Sequence, residues 1–240
     1  LTYQLPEGVD PSYAPVKRVE RELSTTEWVQ ILDKVWAAGV PHVVFTGGEP
    51  TLRDDLTVIL SHAEDIGQVT GLITDGLSFN NPGYLDQLLQ TGLDHILITL
   101  APEKSDSWTA LQLLIAADIF VSVHQTLTLK NALEVGDTIH KLAQLGIKSL
   151  SLTTTDTALQ NTLIDLRNLA ASLQLSLTWD LPVPYSAFNP VALETQEDTS
   201  TQETYPTSLY VEPDGEVLPS QGINLRLGNL LSDSWDEIWR

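Results

Sequence analysis

Between Leu23 and Asp180 the chain alternates two hydrophobic periods, a helical one and a strand-like one. Ser24-Thr25-Thr26-Glu27 reads as a capping box, in which the serine and the glutamate each satisfy a backbone donor at a helix start. Trp28, Ile31, Leu32, Val35 and Trp36 follow at helical spacing, and Gly39 stands where a left-handed cap would close the helix. His42 to Thr46 predicts a strand, Leu56 to Ile66 a helix stopped by Gly67, and Val69 to Thr74 a second strand. Asn81-Pro82 predicts the cap of a helix carrying Tyr84, Leu85, Leu88 and Leu89. Ile96 to Leu100 predicts a third strand, Trp108, Leu111, Leu114 and Ile115 a helix face, and Phe120 to Leu129 a fourth strand. Helix 133–145, strand 148–154, helix 158–173 and strand 175–180 complete the series.

Regular alternation of this kind means parallel strands joined by right-handed crossovers. With Leu1 to Gln4 as one more strand, the series stops one short of a closed eight-stranded barrel, so the pattern predicts an α/β fold of the partial (β/α) barrel type. The strand faces add a feature. Ser122, His124, Thr126 and Thr128 make one whole strand face polar, and Ser149, Ser151, Thr153 and then Ser176, Thr178, Asp180 repeat it. Helices cover the outside of such a barrel, so these faces are expected to line a wet, ligand-holding interior; local bonding along edge strands is the other reading.

After Asp180 the alternation ends. Leu181 to Pro190 carries three prolines and reads as an extended loop, and Glu194 to Thr204 as a polar, acidic stretch. Ser208 to Leu218 predicts a hairpin turning at Asp214-Gly215, and Ser234 to Trp239 a short terminal helix. The expected organisation is a barrel over 1–180, a linker over 181–207 and a small extension over 208–240.

Charge narrows the functional classes. The chain has 12 Lys+Arg against 32 Asp+Glu, a formal net charge of −20. Binding nucleic acid or an anionic membrane surface needs clustered cations, so neither is expected as a partner. No apolar run is long enough for a transmembrane helix and no signal peptide opens the chain, which favours a cytoplasmic location. There is no Cys and no Met. Zero Cys excludes disulfides, thiol catalysis and thiolate-bound metal within these residues. A chain without Met that opens on Leu1 reads as a fragment or an edited sequence, with room for a missing piece upstream.

The candidate chemistry gathers at strand ends. Thr46-Gly47-Gly48-Glu49-Pro50 follows a strand directly, where barrel sites sit. Paired glycines allow close approach to the backbone, and Glu49 suits a cationic ammonium; a tight turn before the Asp54 helix suits the same residues. Thr74-Asp75-Gly76 and Thr99 end the next two strands. None of the five histidines pairs at metal-ligand spacing, and His124 alone is expected inside the barrel, most simply as a hydrogen-bonded core residue.

Taken together, the strand, Thr46-Gly47-Gly48-Glu49-Pro50 and Thr51-Leu52-Arg53-Asp54-Asp55-Leu56 resemble the core of the radical S-adenosylmethionine (radical SAM) superfamily. Glu22 to Trp28 and Thr74-Asp75-Gly76 fit the same plan, and the resemblance covers roughly residues 1 to 180. Leu209 to Pro219 and Leu227 to Leu231 resemble the start of the SPASM/Twitch extension of peptide- and protein-modifying members. The resemblance implies a partial (β/α)6 TIM-like barrel with a small C-terminal β-hairpin plus helix extension. It implies S-adenosylmethionine held by Gly47, Gly48, Glu49, Pro50 and Thr74, with Thr99 at the ribose and Thr126, Thr128 and Leu152 near the sugar and adenine. It also implies a Cys-x-x-x-Cys-x-x-Cys loop for a [4Fe-4S] cluster after the first strand, but Leu5-Pro6-Glu7-Gly8 stands there and Pro219-Ser220 replaces a Pro-Cys in the tail. Serine and carboxylates do not replace three thiolates, so the cluster and radical chemistry are not supported. The expectation is a degenerate, cluster-free member that keeps a SAM pocket; the alternatives are a non-catalytic peptide- or protein-binding scaffold, and a true radical SAM peptide- or protein-modifying enzyme whose cluster loop is absent from these residues.

Overall fold

The computed structural model describes residues 1–9, 20–154, 156–178, 208–221 and 225–239. The expected linker over 181–207, and Asp180 at the end of its polar face, lie outside the described residues.

Six strands form one sheet in chain order: β1 (His42–Phe45), β2 (Val69–Thr74), β3 (His95–Thr99), β4 (Phe120–Thr126), β5 (Ser149–Thr153) and β6 (Ser176–Leu177). The pairs from β2 to β6 are parallel. Helices α1 (Thr25–Ala37), α2 (Leu56–Asp65), α3 (Tyr84–Leu89), α4 (Ser105–Ala116), α5 (Val135–Gln144) and α6 (Gln160–Ser172) alternate with them. This is the element order of a partial (β/α)6 TIM-like barrel, each crossover a single helix. A second, antiparallel sheet joins β7 (Tyr210–Val211), β8 (Glu216–Leu218) and β9 (Gly228–Asn229), followed by α7 (Trp235–Ile238).

The residues fall into two compact units. The first comprises 1–70, 91–93 and the described residues of 182–240; the second comprises 71–90 and the described residues of 94–181. In the first, α1 starts on the Ser24–Glu27 capping box and buries Trp28, Ile31, Leu32 and Val35 beside Leu56, Ile59, Leu60 and Ala63 of α2. Trp36, expected on that face, is 40% exposed and covers Gly67 instead. The small sheet is tied to α1, because the Lys34 ammonium donates to the carbonyls of Leu230 and Asp233 and Leu23 N donates to Pro213 O. In the second unit, Ile96, Ile98, Val123 and Leu150 on the strands and Leu111, Leu114, Ile139 and Leu142 on the helices are fully buried. Each such side chain contributes roughly 1.5–3 kcal/mol by leaving water.

Several boundaries differ from the sequence expectation. Leu1 to Gln4 makes a single parallel bridge, Thr2 to Gly47, rather than a strand. Gly83, not Asn81-Pro82, is the residue before α3, and its φ of 78° explains why glycine stands there. Strand β4 ends at Thr126, because Asn131 folds the following residues into a turn. The residues after Leu218 add a third strand, β9, to the expected hairpin.

Candidate functional site

The loop after β1 is built by close backbone contact. Gly48 N donates to Thr2 O at 2.7 Å and Glu49 N to Gln4 O at 2.8 Å. A β-carbon on Gly47 would lie 2.4 Å from Thr2 O, and one on Gly48 1.9 Å from Gln4 O. The paired glycines are therefore required by the chain's own opening segment. The side of the backbone that a β-carbon would occupy faces residues 2–4.

Glu49 is 2% exposed. Its Oε1 accepts from Thr51 N at 3.0 Å and the Thr51 hydroxyl at 2.7 Å, capping the 3-10 turn Pro50–Leu52. Pro50 fits the first position of that turn, where no backbone donor is needed. Just before the glycines, the Thr46 hydroxyl is buried with no hydrogen-bond partner. A buried polar atom without a partner is uncommon in a folded protein.

Arg53 is the cation nearest this loop in sequence, and it is already committed. Its guanidinium grips Asp55 through two bonds of 2.8 and 2.7 Å and donates to Leu1 O and Leu23 O. Glu22 accepts from the Thr2 hydroxyl and from Tyr3 N at 2.6 Å. This part-buried network holds residues 1–4 beside the Gly47-Gly48 turn and commits the Arg53 guanidinium to the protein's own acceptors.

In the second unit, cross-strand register collects hydroxyls on one sheet face. Thr99, His124 and Ser151 are aligned, as are Thr126 and Thr153 one row nearer the strands' carboxyl ends. His124 Nδ1 shares a hydrogen bond of 3.0 Å with Ser151 Oγ, and Nε2 one of 3.0 Å with Thr126 Oγ1, with Thr153 Oγ1 at 3.4 Å. Below them Ser149 Oγ bonds both Ser122 Oγ and Thr178 Oγ1 at 2.8 Å. His124 is 3% exposed, and burial pushes its pKa down to about 4, so the ring is neutral near pH 7. The expected polar face exists, and its members bond chiefly to one another.

The remaining predicted residues fall in different settings. Thr74 is fully buried, and its hydroxyl accepts from Gly76 N at 3.0 Å. Asp75 accepts from Leu77 N, so Thr74-Asp75-Gly76 is a side-chain-stabilised turn. The Thr99 hydroxyl donates to Thr74 O at 3.3 Å. Thr128 lies beyond β4, its hydroxyl accepting from Asn131 N at 3.3 Å. Leu152 is buried in β5, where alternation puts its side chain with Leu150, on the face opposite Ser151 and Thr153. Sequence reasoning passed over Asn131 and Glu22, although Thr128-x-x-Asn131 is a recognisable turn signal. Among the described residues no group of three or more His, Cys, Asp or Glu could hold a metal ion, and no helix is long and apolar enough to cross a membrane.

Comparison with known proteins agrees with this architecture. The sequence profile of the radical SAM superfamily matches residues 9–101. A PqqA peptide cyclase of Bradyrhizobium diazoefficiens is 40% identical over 82 residues, which is 34% of this chain and 21% of that protein. The crystal structure of Streptococcus suis SuiB superposes with a TM-score of 0.67 at 14% identity, covering 92% of this chain and 60% of SuiB. SuiB is also known bound to the precursor peptide SuiA and bound to S-adenosylmethionine. Native anSMEcpe with bound AdoMet matches with a TM-score of 0.65 at 16% identity, over 91% of this chain and 71% of that one. At such identities the structures establish a shared fold. The chain spans about a fifth of the cyclase and three fifths of SuiB.

Proposed function

Starting from a chain that carries a radical SAM superfamily segment at residues 9–101 within that superfamily's fold, we propose a cluster-free S-adenosylmethionine-binding protein that handles a peptide partner. The superfamily's iron–sulfur cluster does not fit these residues. Its ligands are thiolates, and the chain has none; Leu5-Pro6-Glu7-Gly8 occupies the place of the cluster loop. No electron-transfer step is derived for it.

S-adenosylmethionine fits better, and the observation that carries this is the unpartnered Thr46 hydroxyl, buried next to the Gly47-Gly48-Glu49 loop. The carboxylate of Glu49, buried and fixed by Thr51, supplies the negative charge that a methionyl ammonium requires. Thr74 and Pro50 set the backbone of the two turns. The second unit carries a separate row of hydroxyls at Thr99 and Thr126, with the neutral His124 bonded to Thr126. Bound in this way, the cofactor supplies a sulfonium centre and an ammonium for recognition. The peptide partner is inferred from the relatives: one is named a peptide cyclase, and SuiB and anSMEcpe are known with peptides bound.

The test is calorimetric titration of S-adenosylmethionine into the purified, metal-free protein, with Glu49→Gln and Thr46→Val as controls and circular dichroism to verify folding. Saturable binding weakened in both folded variants supports the reading. No heat at millimolar ligand, or equal binding by the variants, removes it.

A further inference from the structure

The turn between β4 and α5 presents two apolar side chains to solvent on a rigid base. Leu129 is 71% exposed and Leu133 97% exposed. Isolated surface leucines are ordinary and carry no meaning alone. Here the backbone beneath them is held on every side. Asn131 Oδ1 accepts from Thr128 N at 2.8 Å, Asn131 Nδ2 donates to Thr126 O at 2.9 Å, and Asn131 O accepts from the amides of Glu134 and Val135. Leu127, at the foot of the turn, donates to Thr153 O and accepts from the Thr154 hydroxyl. A side chain displayed on an ordered turn loses little conformational freedom when it is covered, which favours association.

The position and the charge around it indicate what covers it. The turn stands at the carboxyl end of β4, the end of the strands where folds of this type take their ligands. Glu134 and Asp137 are exposed in the residues that follow, and Asp156 stands two residues beyond Thr154, whose hydroxyl is bonded to Leu127 O. Lys130 is the one cation between Leu129 and Leu133. Against these three carboxylates stand Lys130 and, one turn after Asp137, Lys141, whose ammonium lies over the Trp108 ring, so the local charge keeps the sign of the chain's net −20. Such a surface attracts cations and accepts apolar groups.

We infer that the 127–134 turn is a docking surface for a peptide segment that combines apolar side chains with lysine or arginine. This deepens the peptide reading above and rests on it for the class of partner. The apolar groups sit against Leu129 and Leu133, and the basic groups face Glu134, Asp137 and Asp156.

The test uses two short fluorescein-labelled peptides, one of leucine and lysine and one of leucine and glutamate, in fluorescence anisotropy titrations. The proteins are the native chain, a Leu129→Ser/Leu133→Ser variant and a Glu134→Gln/Asp137→Asn variant. Leu129 and Leu133 are exposed, so the serine variant keeps the native melting temperature; the charge-neutral variant removes two acids from the start of α5 and is checked by circular dichroism to be folded. Binding of the lysine peptide weakened about tenfold or more by the serine pair, and weakened also by the charge-neutral pair, is the expected result. Equal binding by the native and serine proteins, absence of lysine-peptide binding, or equal binding of the glutamate peptide overturns the proposal. S-adenosylmethionine titrated into the same samples separates the two readings: cofactor binding without peptide docking removes this inference alone, and peptide docking without cofactor binding removes the cofactor assignment alone.

Discussion

A β-carbon placed on Gly48 would lie 1.9 Å from the carbonyl oxygen of Gln4. The same carbonyl accepts the Glu49 amide at 2.8 Å, so the contact cannot relax without breaking a backbone bond. Gly48→Ala is expected to cost about 1–3 kcal/mol, the usual range for overpacking a tight site. Gly83, whose added β-carbon would meet nothing within 4 Å, has a φ of 78°, so Gly83→Ala reports backbone strain without a clash. Urea unfolding of the two variants checks this; a Gly48→Ala protein as stable as the native one would refute the geometry.

Arg53 ties together parts of the chain that are distant in sequence. Lysine in its place keeps the charge and loses the planar fork to Asp55 and the bonds to Leu1 O and Leu23 O. Arg53→Lys is expected to destabilise by about 2 kcal/mol or more, because buried acceptors lose charged donors. Burial works to raise the Asp55 pKa, but the bonds from Arg53 and Thr25 outweigh it and hold it below the usual value. That contribution is present above the unfolded carboxylate pKa and is lost as pH falls below it. The measurement is unfolding free energy at neutral and strongly acid pH, where the native-minus-variant gap should shrink.

His124 governs a different window. Its folded pKa of about 4 lies below the unfolded value, so on acidification the unfolded chain takes up a proton that the folded one refuses. Stability is therefore lost as pH falls from the unfolded histidine pKa toward about 4, by about 3 kcal/mol for a shift of this size. His124→Gln retains hydrogen bonding without titrating and should flatten the slope between pH 7 and 5. A slope unchanged in that variant would assign the proton uptake to another group.

The Ser24–Glu27 capping box offers a local control. Serine accepts the Glu27 amide and Glu27 accepts the Ser24 amide at 2.9 Å. The hydrogen bond from Arg21, then those from Ser24, hold the Glu27 carboxyl at a pKa of about 2. Ser24→Ala should lower stability by about 1 kcal/mol with no change in denaturant slope. A larger loss would mean that Ser24 supports more than its helix.

The site was legible in unequal parts. The polar faces of β4 and β5 follow from alternation, and Ser122, His124, Ser149 and Ser151 are where a period of two puts them. Leu152 came from the resemblance, while its own alternation puts its side chain on the face opposite the hydroxyls. Thr128 falls outside β4, although β-type residues run on past Thr126, because Asn131 captures the backbone into a turn. The role of Gly47 and Gly48 was hidden for another reason: the carbonyls they meet belong to residues more than forty positions earlier.

The sequence by itself determined the order of the main helices and strands, the start of α1, the polar faces of β4 and β5 and the lack of thiolates. Those depend on local periodicity, capping chemistry and composition, all of which are readable within a few residues. Only the tertiary structure decided that Gly47-Gly48 rests against residues 2–4, that Arg53 is consumed by Asp55 and two carbonyls, and that both His124 nitrogens are occupied. Thr2 and Gln4 lie more than forty positions from the glycines, Leu1 and Leu23 at least thirty from Arg53, and Ser151 twenty-seven from His124, so these partners meet only once the chain has folded.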